Sequence, residues 1–345
     1  MSTAPAIAPE AIPAIEGSRI AVMGLGRAGL PAAGRLVSLG AEVAAWDDRE
    51  ESRDQARAQG LVVEDLRAAD WSRFDALLLS PGIPHRLPRA HPVAAAATKA
   101  GVPILCDVEF LWRSVRRSGS AARFVGITGT NGKSTTTALI AHLLRTAGFE
   151  VEEGGNLGPA ALGLKQLGPD GVYVLELSSY MLERIALARF DAAVMLNLAP
   201  DHLDRHGDMA GYARAKRAVF DRQRPGDLAV VGVDDEESRA MAVTLAEAPG
   251  RFVPISGTGP VLGGVHAEGT LLVDGTAEPR IRIASLAGHP TLAGSHNRQN
   301  AAAAAAVARW FGLGPQAIAT GLSTFAGLPH RQERIATVDG VQFLN

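Results

Sequence analysis

The stretch GITGTNGKST, Gly126 to Thr135, constrains this chain most, because it stands between an apolar strand, FVGIT, and a helix-forming run, TTTALIAHLLRTAG. Small residues at such a junction let successive backbone N–H groups converge on an anion at the positive end of a helix. Gly129, Thr130, Asn131 and Gly132 form the cradle. Lys133 is placed to reach the β and γ phosphates of a nucleotide, and a hydroxyl of Ser134 or Thr135 to hold Mg²⁺. The spacing differs from the common G-x4-G-K pattern, since the residue five before Gly132 is Ile127, with Gly126 and Gly129 on either side. A site of this kind needs a carboxylate on a neighbouring strand to hold the metal. Glu176 fits, as the one acid in the buried run VYVLELSSY; its other reading is a strand-end acid with a path to solvent.

Around that loop the chain alternates strand and helix: VYVLELSSY, AAVMLNLAPDHLDRHG, YARAKRAVFDRQ, DLAVVGVDD and HNRQNAAAAAAVARWFG. Alternation of this kind predicts a mostly parallel sheet with helices on both faces. Residues 251–285, rich in Gly, Val and Thr, read instead as short antiparallel strands, and IATVDGVQFLN as a hairpin turning at Asp339-Gly340. His202 follows the strand AAVMLN and has Asp201, Asp204 and Arg205 beside it, at the carboxyl end of a parallel strand, where open α/β sheets bind ligands. The same histidine on an ordinary loop is polar surface.

A second strand, glycine turn and helix occupies SRIAVMGLGRAGLPAAGRLVSLGAEVAAWDD, with Asp47 about 20 residues past the glycines. Gly24, Gly26 and Gly29 match a dinucleotide fingerprint, which by itself suggests a nicotinamide oxidoreductase. Backbone amides at a helix end read any diphosphate, however. An enzyme with two phosphate loops fits better with ATP at one and a nucleotide diphosphate substrate at the other. The expected organisation is α/β throughout: a disordered tail over 1–17, a Rossmann-like parallel-sheet domain over 18–112, and a P-loop ATPase-like α/β domain over 113–327 with a few antiparallel strands. Residues 328–345 are expected to begin something further, and VRRSGSAAR (115–123) to be the linker.

Composition supports this. At 345 residues, 47% hydrophobic and 20% charged, at least two cores are expected, and no apolar run is long enough for a membrane span. The net charge of −2, without a Lys/Arg block, gives no footprint for nucleic acid. A single cysteine, Cys106, and a first segment without signal-peptide layout make the cytoplasm the expected compartment. Only four lysines occur, Lys99, Lys133, Lys165 and Lys216, so thirty of the 34 basic residues are arginine. Each lysine thus raises the question whether its chemistry forbids arginine. Lys216, in YARAKRAVF, otherwise reads as a solvated helix lysine.

The ordered set GLGRAGL, SPGI, GITGTNGKST, GGNLG, ELSSY, PDHLDRHG, YARAK, GSHNRQN and GLPHR, from about Arg19 to Asn345, resembles the Mur ligase family. The related folate polyglutamate ligases share the ATP motifs but are not expected to have the first domain. The resemblance implies a peptidoglycan-precursor ligase that uses ATP and Mg²⁺ to join D-glutamate to UDP-N-acetylmuramoyl-L-alanine through an acyl phosphate, working as a monomer. It assigns Lys133 to the transferring phosphoryl group, Ser134 and Glu176 to Mg²⁺, and His202 to a second Mg²⁺. Lys216 matches a lysine that family members carbamylate with CO₂ into a metal-orienting carboxylate. Gly26, Arg27, Ala28, Asp47, Arg49, Ser80 and Gly82 would line the uridine diphosphate pocket. Asn156, Ser178 and His202 would lie toward the muramoyl-alanine end. Asn297 and Asn300 match adenine-side positions and Arg331 an arginine that reaches the ATP phosphates. Met181 stands where the family usually has glutamine, and Arg27 and Ala28 where a hydroxyl often follows the first glycines. The family continues past VQFLN into a third domain that supplies most of the D-glutamate site, so residues 1–345 are expected to ligate weakly, or to persist as a non-catalytic binding remnant.

Overall fold

The structure, a computed structural model, describes residues 13–248, 250–328, 334–338 and 341–344. The first sheet contains β1 (Arg19–Met23), β2 (Glu42–Trp46), β3 (Val62–Val63), β4 (Ala76–Leu79) and β5 (Ile104–Leu105). Their order is β3-β2-β1-β4-β5 and every pairing is parallel. The helices α1 (Gly29–Ser38), α2 (Glu50–Ala58), α3 (Pro92–Lys99) and α4 (Asp107–Arg117) complete this region. Chain order reverses at β1 and β4, which leaves a crevice beyond their carboxyl ends, where GLGRAG and SPGI emerge.

The second sheet has nine strands: β6 (Arg123–Thr128), β7 (Val151–Gly155), β8 (Val172–Glu176), β9 (Ala192–Met195), β10 (Leu228–Gly232), β11 (Arg251–Ser256), β12 (Val265–Glu268), β13 (Leu271–Asp274) and β14 (Ile281–Ser285). In the order β14-β13-β12-β11-β10-β9-β6-β8-β7, all pairings from β7 to β12 are parallel and the last two antiparallel. The antiparallel stretch expected over 251–285 is thus shorter: β11 extends the parallel sheet, and only β12 to β14 reverse. Its helices are α5 (Lys133–Thr146), α6 (Ser179–Leu182), α7 (Leu203–His206), α8 (Met209–Arg217), α9 (Glu236–Ala246), α10 (Ser295–Trp310) and α11 (Pro315–Ser323). Within α10 the run Ala301–Ala306 is buried, because methyl-only side chains let the helix lie close to α5 and the sheet. The strands β15 (Arg334–Val338) and β16 (Val341–Leu344) pair antiparallel, as the hairpin expectation requires; its turn lies outside the described residues.

Two boundaries move. The break between 112 and 113 falls inside α4, whose Phe110, Leu111, Trp112 and Val115 are buried, so the polar look of VRRSGSAAR hid an amphipathic last turn. Order also begins before Ser18: Ile15 is buried in the core, and the Gly17 N–H donates to Gly40 O at 2.9 Å. Each sheet has a core of its own on one face, around Met23, Trp46 and Leu77 in the first and around Ile127, Val194 and Ala303 in the second, and the two share a third. The shared cluster runs from Val22, Leu36 and Leu78 through Phe110 and Trp112 to Phe124, Tyr173 and Leu175. Fully buried Glu109 of α4 pins the regions further, accepting the N–H groups of Ala186, Leu187 and Ala188 and the Arg113 Nε–H. No helix among the described residues is long and apolar enough to cross a membrane.

Candidate active site

The central loop leaves β6 at Thr128 and enters α5 through Gly132, whose φ of 84° suits glycine. A Cβ at Gly132 would lie 2.4 Å from Asn300 Oδ1, so a side chain there would have to displace the Asn300 amide. An α-helix leaves its leading N–H groups to outside acceptors, and α5 opens on Lys133, Ser134 and Thr135. The cradle is narrower than the sequence suggested. The Thr130 and Asn131 amides are taken by Asn197, through its carbonyl at 2.9 Å and its Oδ1 at 2.8 Å. Asn197 is a residue sequence reasoning missed; its signal was a polar residue closing an apolar strand, the same signal that singled out Glu176.

Lys133 curls over the loop, Nζ donating to Gly129 O at 3.0 Å and Thr130 O at 2.9 Å. Ser134 Oγ donates to Glu176 Oε2 at 2.6 Å, and Asn156 Nδ2 donates to Glu176 Oε1 at 2.9 Å. Glu176 is buried at the end of β8, beside β6 in the sheet, which is what brings these residues together. Asn297 and Asn300, both buried at the start of α10, are joined by an Asn300 Nδ2 to Asn297 Oδ1 bond of 3.1 Å. Asn300 lies against Gly132 from behind, and Asn297, bonded to it and to Thr291 O and Ala293 O, holds it in place.

Lys216 is not a solvated helix lysine. It is 2% exposed, and Nζ donates to Gly129 O at 2.8 Å and Thr128 Oγ1 at 3.3 Å. Burial, helped by the charge of Lys133, pulls its pKa down to about 7. His202 is the one non-glycine with positive φ among the described residues, at 53°. Such a residue is worth a functional hypothesis. Its ring lies 5.0 Å from that of Tyr180 and 6.4 Å from that of Tyr212, and Nδ1 is 3.4 Å from Asp201 Oδ1. No group of three or more His, Cys, Asp or Glu converges among the described residues, so the expected second metal has no ready-made set of these ligands. Ser178 caps α6, its Oγ accepting the Met181 N–H at 3.3 Å. Met181 itself points into the apolar core, which absorbs the departure from glutamine.

At the first loop, Asp47 accepts the Leu25 N–H at 2.7 Å and the Arg49 N–H at 2.9 Å, while Ser80 Oγ donates to Gly24 O at 2.8 Å. A cavity of about 460 Å³ opens there, lined by Gly26, Arg27, Ala28, Asp47, Arg49 and Ser80 of the expected set. Gly82 lies just outside the lining, its carbonyl accepting from Arg205 Nη1 at 3.1 Å. Asn156, from the central region, closes the same wall. Arg331 lies outside the described residues.

Residues 127–308 match the Mur ligase middle domain. A UDP-N-acetylmuramoylalanine--D-glutamate ligase of Caulobacter vibrioides is 47% identical over 334 residues, covering 96% of this chain and 71% of that protein. The chain belongs to the Mur ligase family. A ligase of the same name from Paramagnetospirillum magneticum is 46% identical, covering 97% of this chain and 71% of its own length. Among solved Mur ligase structures, the fold is shared with UDP-N-acetylmuramate:L-alanyl-gamma-D-glutamyl-meso-diaminopimelate ligase from Neisseria meningitides (TM-score 0.59, 20% identity, 90% of this chain and 98% of that one). It is also shared with a murein peptide ligase from Psychrobacter arcticus (TM-score 0.58, 20% identity, 95% of this chain and 72% of that one). Membership in a ligase family sets aside the nicotinamide reading of GLGRAG.

Proposed function

We propose that the chain is an ATP-dependent ligase that joins D-glutamate to UDP-N-acetylmuramoyl-L-alanine. The observation that carries this reading is the position of Asn156, which lines the first-domain cavity and also donates to Glu176 beside the phosphate loop. A nucleotide sugar seated in the cavity would therefore have its acyl end delivered to the ATP phosphates.

In this reading ATP phosphorylates the substrate carboxylate, the amine of D-glutamate attacks the acyl phosphate, and phosphate leaves. The N–H groups of the first turn of α5 and the ammonium of Lys133 face the charge that spreads over the transferring phosphoryl oxygens. Glu176 and Ser134 offer a carboxylate and a hydroxyl 2.6 Å apart, hard oxygen donors of the kind Mg²⁺ takes. Mg²⁺ held there would neutralise charge on the β and γ oxygens. Asn156 orients the Glu176 carboxylate. His202 and Lys216 flank Tyr212 on the other side of the loop, Lys216 Nζ lying 4.7 Å from that ring's centre. A lysine with a pKa of about 7 is largely neutral above pH 7, which is the state that adds CO₂, and arginine offers no such amine.

The test mixes the protein with UDP-N-acetylmuramoyl-L-alanine, D-glutamate, ATP, Mg²⁺ and bicarbonate, and seeks the dipeptidyl product by mass spectrometry. Product that disappears in Glu176→Gln supports the reading. Nucleotide-sugar binding without any product removes ligation from residues 1–345 and leaves the binding remnant.

A further inference from the structure

We propose that Arg184 is the buried counter-charge for the diphosphate of the nucleotide sugar, and that it sets the preference of the first-domain cavity for a diphosphate over a monophosphate. The inference rests on the reading of that cavity given above. Arg184 stands just past α6 in the central region, yet its side chain crosses to the first sheet. There Nη1 donates to Leu79 O at 2.8 Å and Ser80 O at 3.0 Å, and Nη2 donates to Ile83 O at 2.6 Å. The residue is 2% exposed.

What this guanidinium lacks is a carboxylate. None lies within ion-pair distance among the described residues, and Nε has no hydrogen-bond partner. The adjacent Glu183 is turned to histidines instead, with Oε1 3.3 Å from His206 Nδ1 and Oε2 4.0 Å from His85 Nε2. The nearest titratable contact of Arg184 is His85 Nδ1 at 3.4 Å, and burial keeps that imidazole neutral, with a pKa near 4. Burial also lowers the pKa of Arg184, to about 10, so it stays cationic at neutral pH. A buried cation held by three carbonyls and a neutral imidazole is expensive to keep, and those partners do not require one.

Its position supplies the reason. Ser80 and Ile83, two of the three residues whose carbonyls it holds, line the cavity, so the charge sits directly behind the cavity wall. The Ser80 side chain is in turn bonded to Gly24 O in the glycine loop. Screened from water, a fixed positive charge there acts on an entering anion more strongly than a surface arginine would. Glu183 attracts Arg184 only from beyond ion-pair distance, and the close counter-ion arrives with the ligand. Arg184 acts through the wall and touches no ligand atom, so it is a positioning residue.

Calorimetric titration of UDP and UMP into the intact chain tests this with wild type, Arg184→Met and Arg184→Lys. Loss of the charge in Arg184→Met is expected to weaken UDP about tenfold or more and UMP much less. Arg184→Lys keeps the charge but cannot span three carbonyls, so it should weaken both nucleotides alike and retain the preference for UDP. Equal losses for UDP and UMP in Arg184→Met, or no loss, overturn the inference while leaving the cavity reading in place. If Arg184→Met does not fold, Arg184→Gln, which is also uncharged but can still donate to one of the carbonyls, is titrated in its place and read by the same criteria. A wild-type chain that binds neither nucleotide removes the cavity reading, and the inference with it.

Discussion

The two glycine loops open helices in the same way, after a buried parallel strand, but they are held by opposite means. The first is tied by a carboxylate, Asp47 taking the Leu25 N–H, and by the Ser80 hydroxyl on Gly24 O, and no lysine lines its cavity among the described residues. The second is fixed by amides, Asn197 in front and Asn300 behind, and carries two lysines whose Nζ groups both bond Gly129 O. An anionic brace suits a loop that binds a diphosphate through its backbone and performs no chemistry on it. Neutral braces around one cationic lysine and one held close to neutrality would suit a loop where phosphoryl charge moves. On the proposed reading, the first loop holds and the second reacts.

The sharpest way to break that contrast is Lys133→Ala. It should lower ATP turnover by about 10²- to 10³-fold while leaving UDP binding unchanged; a matching fall in UDP affinity, measured by calorimetry, would merge the two loops into one function. Gly29→Ala should do the reverse. The new Cβ would lie 1.8 Å from Gly24 O, a backbone atom that cannot swing away. We expect about 2–3 kcal/mol of lost stability in thermal unfolding and abolished UDP binding, with the ATP loop intact.

The third prediction concerns pH. The folded pKa of Lys216 is depressed from 10.5 to about 7, so between those values the unfolded chain binds the extra proton and stability rises with pH. Relative to Lys216→Met, wild type should gain up to about 1.4 kcal/mol per pH unit from pH 7 upward, a slope read from denaturant titrations; parallel curves for the two proteins would show the amine is not buried as neutral. Smallest is Asn197→Ala, which frees the Asn131 amide while leaving the Thr130 N–H on the Asn197 carbonyl. It should cost about 1 kcal/mol and raise the KM for ATP more than it lowers kcat.

Much of this was legible in the residues. Both loops and the partnership of Ser134 with Glu176 follow from strands that end in a glycine turn or an isolated acid, whereas the cavity-lining residues Arg49 and Ser80 were implied only by the resemblance to the family. What stayed hidden depends on packing across elements. The burial of Lys216 could not be read from YARAKRAVF, since one turn of α8 looks the same whether it faces water or β6. The extent of α4 was masked by its arginines, whose polarity resembles a linker until Trp112 and Val115 are seen in the shared core. Asn197 and Arg184 act on backbone atoms far away in sequence, and no local pattern announces such partners.

The alanine run of α10 has a consequence for how the chain can vary. Ala301–Ala306 sets the clearance between the helix and its neighbours, and Asn300, the residue just before that run, rests against Gly132. The run works as a shim under the phosphate loop. A larger side chain anywhere along it would tilt or lift a rigid rod and withdraw the amide at its end, so residues with no polar atom in their side chains and no view of the site hold its tolerance to within a methyl group's width.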